Sequence, residues 1–127
     1  MDRTLRGTVV HGQGLGHRFG FPTANLKVEA GTALPPRGVY ASEAVIDGRR
    51  YAGVTNIGAR PTVTDSPEVT IETFFIDYEG DLYGRELEVT LRAFLRGIRH
   101  FDSMEALKAQ IDRDKARAQE LLAGSGK

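Results

Sequence analysis

The Asp47-Gly48 dipeptide stands between two β-rich runs, GVYASEAVI at 38–46 and RRYAGVTNIG at 49–58. An Asp-Gly pair suits the central positions of a type I′ turn, whose twist matches that of the strands it joins. The segment therefore predicts an antiparallel hairpin. LRGTVVH at 5–11 reads as a first strand, and VTIETFFIDY at 69–78 and ELEVTLRAFL at 86–95 as two more long ones. Between the last two lie a Glu79-Gly80 turn and a Leu82-Tyr83-Gly84 connection.

From residue 102 the period changes. Met104, Leu107, Ile111, Ala118 and Leu121 recur at helical spacing, with Asp102 and Glu105 placed as a capping box behind Phe101. Five or six strands followed by one helix suggest a mainly β fold: a closed or nearly closed antiparallel barrel with the helix packed on it, since closure removes exposed strand edges. The 127 residues suit a single domain spanning 1–127, with the barrel at about 4–101, the helix at about 102–123 and a frayed tail at 124–127.

Charge narrows the partners. Seventeen basic residues cancel seventeen acidic ones, so the broad positive field of a nucleic-acid binder is missing and no nucleic-acid partner is expected. With no cysteine, disulfides, thiolate metal sites and a cysteine nucleophile are all excluded. His11, His17 and His100 are not at metal-ligand spacing, which argues against a zinc enzyme. The start, MDRTLRGTVV, lacks the pattern of a signal peptide and no stretch reaches membrane-spanning length. A monomer in the cytoplasm, away from membranes, is the expectation.

The least ordinary stretch is GQGLGHRFGFPTANL, which reads as a loop. Gly12, Gly14, Gly16 and Gly20 would let backbone N–H groups approach an anion, as in a phosphate nest, although a turn-rich connection fits the glycine count equally well. Thr23 and Asn25, two residues apart, offer hard oxygen ligands to Mg²⁺ or hydrogen bonds to phosphate; an ordinary turn would use them locally. Alternation puts Thr70, Glu72, Phe74 and Ile76 on one face of a strand. Glu72 is then either a barrel-mouth residue reaching water, the reading the residues alone favour, or a partly buried base. Asn56 to Thr62 and Asp81 to Gly84 read as turns, and Arg92, Arg96, Arg99 and His100 concentrate basic charge that fits a phosphate or flavin contact, a phosphodiester patch or solvated surface, the last being the reading the residues alone favour.

Taken together, these segments resemble the riboflavin kinase family, the module that forms the C-terminal half of bifunctional bacterial FAD synthetases. The resemblance runs through GQGLGHRFGFPTAN at 12–25, Gly38-Val39-Tyr40, GVTNIGARPT at 53–62, Glu72 ahead of Asp77-Tyr78, Asp81-Leu82-Tyr83-Gly84, and Phe101-Asp102-Ser103. It covers nearly the whole chain, and several motifs in register are more specific than any one.

The resemblance implies a six-stranded Greek-key barrel that transfers the γ-phosphate of Mg-ATP to the ribityl 5′-hydroxyl of riboflavin, giving FMN and ADP. It implies ATP contacts at Gly12, Gly14, Gly16, His17, Arg18, Gly20, Pro22 and Thr23, with Thr23 also on Mg²⁺, or on Zn²⁺ or Mn²⁺ in its place. Asn25 would stand near the transferred phosphoryl group and Glu72 would be the general base. Arg96, Ile98 and Phe101 would meet the flavin under the loop before the helix. FMN synthesis without FAD synthesis is expected of this chain.

Two positions depart from the family pattern. His17 stands where the family usually carries Arg. Arg96-Gly97-Ile98 replaces Arg, any residue, Glu, and an apolar Ile98 cannot accept a hydrogen bond from the flavin. The alternative these departures suggest is a flavin- or nucleotide-binding module that kept the barrel and lost turnover.

Overall fold

The structure, a computed structural model, describes residues 3–10, 23–29, 32–60, 68–78, 80, 82–98 and 101–125. Six strands, β1 (Arg3–Val10), β2 (Thr23–Val28), β3 (Gly38–Ile46), β4 (Arg49–Arg60), β5 (Glu68–Phe75) and β6 (Glu86–Arg96), precede one helix, α1 (Met104–Ser125). The strands close into a barrel in the order β1-β2-β5-β4-β3-β6, and each neighbouring pair is antiparallel. Three consecutive strands, β3, β4 and β5, lie side by side and β6 returns next to β3, which is a Greek key.

The β3–β4 hairpin forms as its turn chemistry requires. Asp47 and Gly48 both take left-handed backbone angles, with φ of 52° and 82°, the pair that a type I′ turn demands. The barrel interior follows from the period-2 pattern: Leu5, Val9, Leu26, Tyr40, Ile46, Ile57, Ile71, Phe75, Leu87, Val89 and Leu91 point inward and are buried. Each such side chain contributes ~1.5–3 kcal/mol on leaving water, so this lining dominates the stability of the barrel.

Gly7 also faces inward, where a Cβ would fall 2.4 Å from the Lys27 carbonyl oxygen. The absent side chain lets β1 and β2 approach. Polar groups enter the interior only as a closed set. The Thr55 hydroxyl donates to Ser42 Oγ at 2.7 Å and lies 2.7 Å from Thr73 Oγ1, so three hydroxyls with almost no solvent exposure satisfy one another.

Helix α1 covers the outer wall. Ala118, fully buried, sits with Ala41 and Ile76, and Ala52, Val54, Phe74, Ala93 and Leu95 pack against that cluster. Small residues on both surfaces allow the close approach. Two register shifts on β6 supply part of this face. Ser42 pairs with Leu91 but Ala41 with Ala93, and Tyr40 pairs with Phe94 but Val39 with Arg96. Each shift leaves an extra residue on β6, so a strand that points Leu87, Val89 and Leu91 inward delivers Ala93 and Leu95 to the helix side.

Local details differ from the sequence expectations in three places. Residues 23–26, expected in a glycine-rich loop, belong to β2, because Ala24 and Leu26 alternate into the core on a six-residue stretch flanked by partners on both sides. Residues 56–60, expected as a turn, continue β4 to Arg60, where each residue pairs with one of β5 from Glu68 to Glu72. The helix cap is Ser103 rather than Asp102: the Ala106 N–H donates to Ser103 Oγ at 3.1 Å and the Leu107 N–H to the Ser103 carbonyl at 3.2 Å. A shorter hydroxyl side chain serves this position as well as a carboxylate does.

Candidate functional site

The outer wall beside the helix carries two adjacent rows of residues, each running across neighbouring strands. In one, Phe74 pairs with Val54, Val54 with Ala41 and Ala41 with Ala93, and Thr23 pairs with Phe74 at its end. This row is apolar apart from Thr23, and α1 covers most of it. In the other, Asn25 pairs with Glu72, Glu72 with Asn56, Asn56 with Val39 and Val39 with Arg96, so that one row crosses β2, β5, β4, β3 and β6. Strand neighbours are ~4.8 Å apart, so this polar row covers about 19 Å of the wall.

Alternation explains why these side chains lie together. Ala24 and Leu26 on β2, Ile71 and Thr73 on β5, and Thr55 and Ile57 on β4 are buried inside, which turns Asn25, Glu72 and Asn56 outward. Glu72 and Asn25 are half-buried and Asn56 is exposed. Side chains directly opposite one another in a ladder have Cβ atoms ~4.5–5.5 Å apart. One carboxylate is therefore flanked by an amide on each side. Glu72 stands on the outer wall, between the helix-covered row and solvent, which differs from the barrel-mouth position that the residues alone favoured.

Two groups reach this patch that sequence reasoning did not single out. Asn56 was concealed in a segment that read as a turn; the alternation of Thr55 and Ile57 around it was the available signal. Lys115 extends from α1 so that its ammonium lies 5.9 Å from the centre of the Phe74 ring, one row from Glu72. Nothing in the helical pattern could have marked it, because its placement depends on how the helix docks.

Arg96 closes the polar row at β6. Its guanidinium makes a fork to the Asp114 carboxylate on α1, with Nε–Oδ1 at 3.0 Å and Nη2–Oδ2 at 2.7 Å. Phe101 lies over the same group, 5.7 Å from guanidinium carbon to ring centre. Ile98 is 54% exposed, within the connection between β6 and α1. Of the other basic residues, Arg92 donates to Glu43 at 3.0 Å, which makes it part of a surface charge network. Gly12, Gly14, Gly16, His17, Arg18, Gly20 and Pro22 lie outside the described residues, as do Arg99 and His100; Thr23 is described only through its backbone at the start of β2.

A divalent cation needs hard oxygen donors. The Asn25 amide oxygen supplies one, opposite the Glu72 carboxylate in the ladder, and Mg²⁺, which keeps several waters and takes substrate phosphates as ligands, needs few protein oxygens. No cluster of three or more His, Cys, Asp or Glu forms a dedicated protein cage among the described residues. A groove of about 460 Å³ among the described residues lies elsewhere, lined by Arg6, Glu43, Arg50, Glu86, Glu88 and Thr90. Its charges pair with one another, Arg6 with Glu88 at 3.8 Å and Arg50 with Glu43 at 3.6 Å. The row at Glu72 is the better candidate because it unites a carboxylate, amides and a nearby cation on one side of the barrel wall.

A β-barrel of this topology with such a row defines a class, and comparison with known proteins gives its family. The riboflavin kinase family model (flavokinase) matches residues 2–122, and the chain belongs to that family. It is 42% identical over 121 residues to the bifunctional riboflavin kinase/FMN adenylyltransferase of Pseudomonas fluorescens, covering 95% of this chain and 39% of that protein. The chain thus spans about two fifths of this curated relative.

Among solved structures, a protein from Streptococcus pneumoniae described as a macrolide-efflux protein superposes with a TM-score of 0.83 at 32% identity, over 91% of this chain and 38% of that one. Riboflavin kinase from Trypanosoma brucei superposes with a TM-score of 0.69 at 25% identity, over 96% and 80% respectively.

Proposed function

We propose that this chain is a riboflavin kinase that uses Mg-ATP to phosphorylate the 5′-hydroxyl of the ribityl chain. The observation that carries the proposal is the register of Glu72 between Asn25 and Asn56 on one outward row, in a chain of the riboflavin kinase family.

Phosphoryl transfer asks a protein for positioning, charge neutralisation and a base for the attacking alcohol. Glu72 takes the proton of the 5′-hydroxyl as that oxygen attacks the γ-phosphorus. The new P–O bond forms as the bond to the β-phosphate oxygen breaks and ADP leaves. Asn25, one strand away, orients the phosphoryl oxygens beside the base. Thr23 and Asn25 are the residues that would hold Mg²⁺, which when bound neutralises charge on the phosphates. ATP then lies on the β2 side, where residues 12–22 lead into Thr23, and the flavin lies on the β6 side, toward Arg96, Ile98 and Phe101.

The direct test is incubation of the purified chain with riboflavin and Mg-ATP, followed by chromatographic separation of flavins. The expected product is FMN, formed with one ADP per FMN and lost when EDTA removes the metal. Riboflavin that stays bound but unchanged would make the chain a binding module instead.

A further inference from the structure

Helix α1 packs chiefly on β3, β4 and β6, yet one of its side chains crosses to β5. Lys115 follows the buried Asp114 and is itself half-buried. Its ammonium lies 5.9 Å from the centre of the Phe74 ring. Residues two apart on a strand share a face and stand ~6–7 Å from one another along it. Phe74 is thus the neighbour of Glu72 on the outer side of β5, and the cation stands beside the polar row.

Packing alone accounts for the stem of this side chain, because lysines lay their methylenes on apolar surface and keep the charged head toward water. It does not account for where the head points. Among the described residues no carboxylate forms an ion pair with Lys115. The two arginines of β6 that carry ion pairs are engaged elsewhere, Arg96 by Asp114 and Arg92 by Glu43. Lys27, outward on β2 two residues from Asn25, is exposed. A half-buried cation beside an aromatic ring is screened less than an exposed one and attracts an anion more strongly.

Phosphoryl transfer spreads negative charge over the three equatorial oxygens of the moving group. With Glu72 as the base, that group stands beside a carboxylate, and the two repel unless cations offset them. Asn25 approaches it from β2, and Lys115 approaches from the helix side. The flexible four-carbon stem of a lysine lets the head swing from the Phe74 ring to the row without movement of α1.

We propose that Lys115 is a catalytic residue whose ammonium donates to a non-bridging oxygen of the γ-phosphate and offsets the charge that builds there during transfer. It keeps its proton throughout, so Glu72 remains the base and the bonds made and broken are those given above. The inference rests on the kinase reading, which puts the γ-phosphoryl group at Glu72.

The experiment separates the head of the side chain from its stem. Lys115→Met keeps helix propensity and the contact with Phe74 but removes the charge, and Lys115→Gln replaces it if the first variant does not fold. Lys115→Arg keeps the charge, and Lys27→Met removes an equal charge from the exposed side of β2. Calorimetric titration gives Kd for Mg-ADP and for the Mg complex of an ATP analogue with an imido group in place of the β–γ bridging oxygen. FMN formation gives kcat and the riboflavin KM.

Lys115→Met should weaken binding of the triphosphate analogue about tenfold and of Mg-ADP less than about twofold, because only the former carries the group that Lys115 meets. The same variant should lower kcat about tenfold or more at an unchanged riboflavin KM. Lys115→Arg should recover most of the preference for the triphosphate, and Lys27→Met should leave both affinities near wild type. An equal loss for both nucleotides, no loss for either, or the same loss in Lys27→Met would overturn the proposal. Titration needs no turnover, so a wild-type chain that binds nucleotide without making FMN would fail the kinase reading while still deciding this one. A wild-type chain that binds neither nucleotide would overturn both.

Discussion

Glu72 on β5 and Asn25 on β2 stand opposite one another in the ladder, with both side chains on the outer wall of the barrel. The backbone hydrogen bonds of two adjacent strands, rather than a loop, thus set the spacing of carboxylate and amide. A site built this way is rigid, and its chemistry should respond to the loss of a single functional group more than to small changes in packing.

Replacing Asn25 tests that claim on the phosphoryl side. Asn25→Ala should lower kcat for FMN formation by about tenfold or more while leaving riboflavin affinity nearly unchanged, because positioning of the reacting groups is lost but the flavin end of the row is intact. Steady-state kinetics with both substrates varied separates the two effects; a rise in riboflavin KM at constant kcat would place Asn25 with the acceptor instead.

Inside the barrel, Thr55 bridges the hydroxyls of Ser42 and Thr73. Thr55→Val keeps the volume but removes the central hydroxyl and leaves two buried polar groups without it, at a cost of about 1–3 kcal/mol. Urea unfolding should show a lower midpoint with an unchanged slope. A variant as stable as wild type would mean that the two remaining hydroxyls pair with each other.

The β3–β4 turn carries a pH signature. The hydrogen bond and charge of Arg85 hold the Asp47 carboxyl below the usual carboxylate range. The folded chain therefore keeps Asp47 charged at pH values where the unfolded chain has begun to protonate it. This contribution is complete above the unfolded pKa and disappears as the pH falls through the folded one. Asp47→Asn keeps a side chain that tolerates the left-handed turn, so its melting temperature should fall less than that of wild type on acidification below the ordinary carboxylate range. Parallel acid-side curves for the two proteins would show that the bridge contributes nothing.

The sequence was most legible where local chemistry alone decides structure. Asp47-Gly48 dictated its turn, alternation grouped Glu72 with Phe74 on one face of β5 although both faces are too apolar to show which is inside, and the helical period after residue 102 marked α1. It was least legible at 23–28, where a short stretch becomes a strand only because β1 and β5 lie on either side of it. Asn56 was hidden for the same reason, since the pairing of β4 with β5 overrides the turn-like composition of residues 56–60. The Arg96–Asp114 pair lay beyond any local rule: it needs two shifts in register on β6 and the docking of a helix that begins eight residues later.

The measurement that tests the central claim most directly is kcat for FMN formation by Glu72→Gln beside wild type at saturating riboflavin and Mg-ATP. A positioned general base is worth about 10²–10⁴-fold in rate, so the account predicts a fall of at least about a hundredfold with riboflavin binding retained. A variant that makes FMN at a rate close to wild type would contradict the assignment of Glu72 as the base and with it the row as the site of phosphoryl transfer.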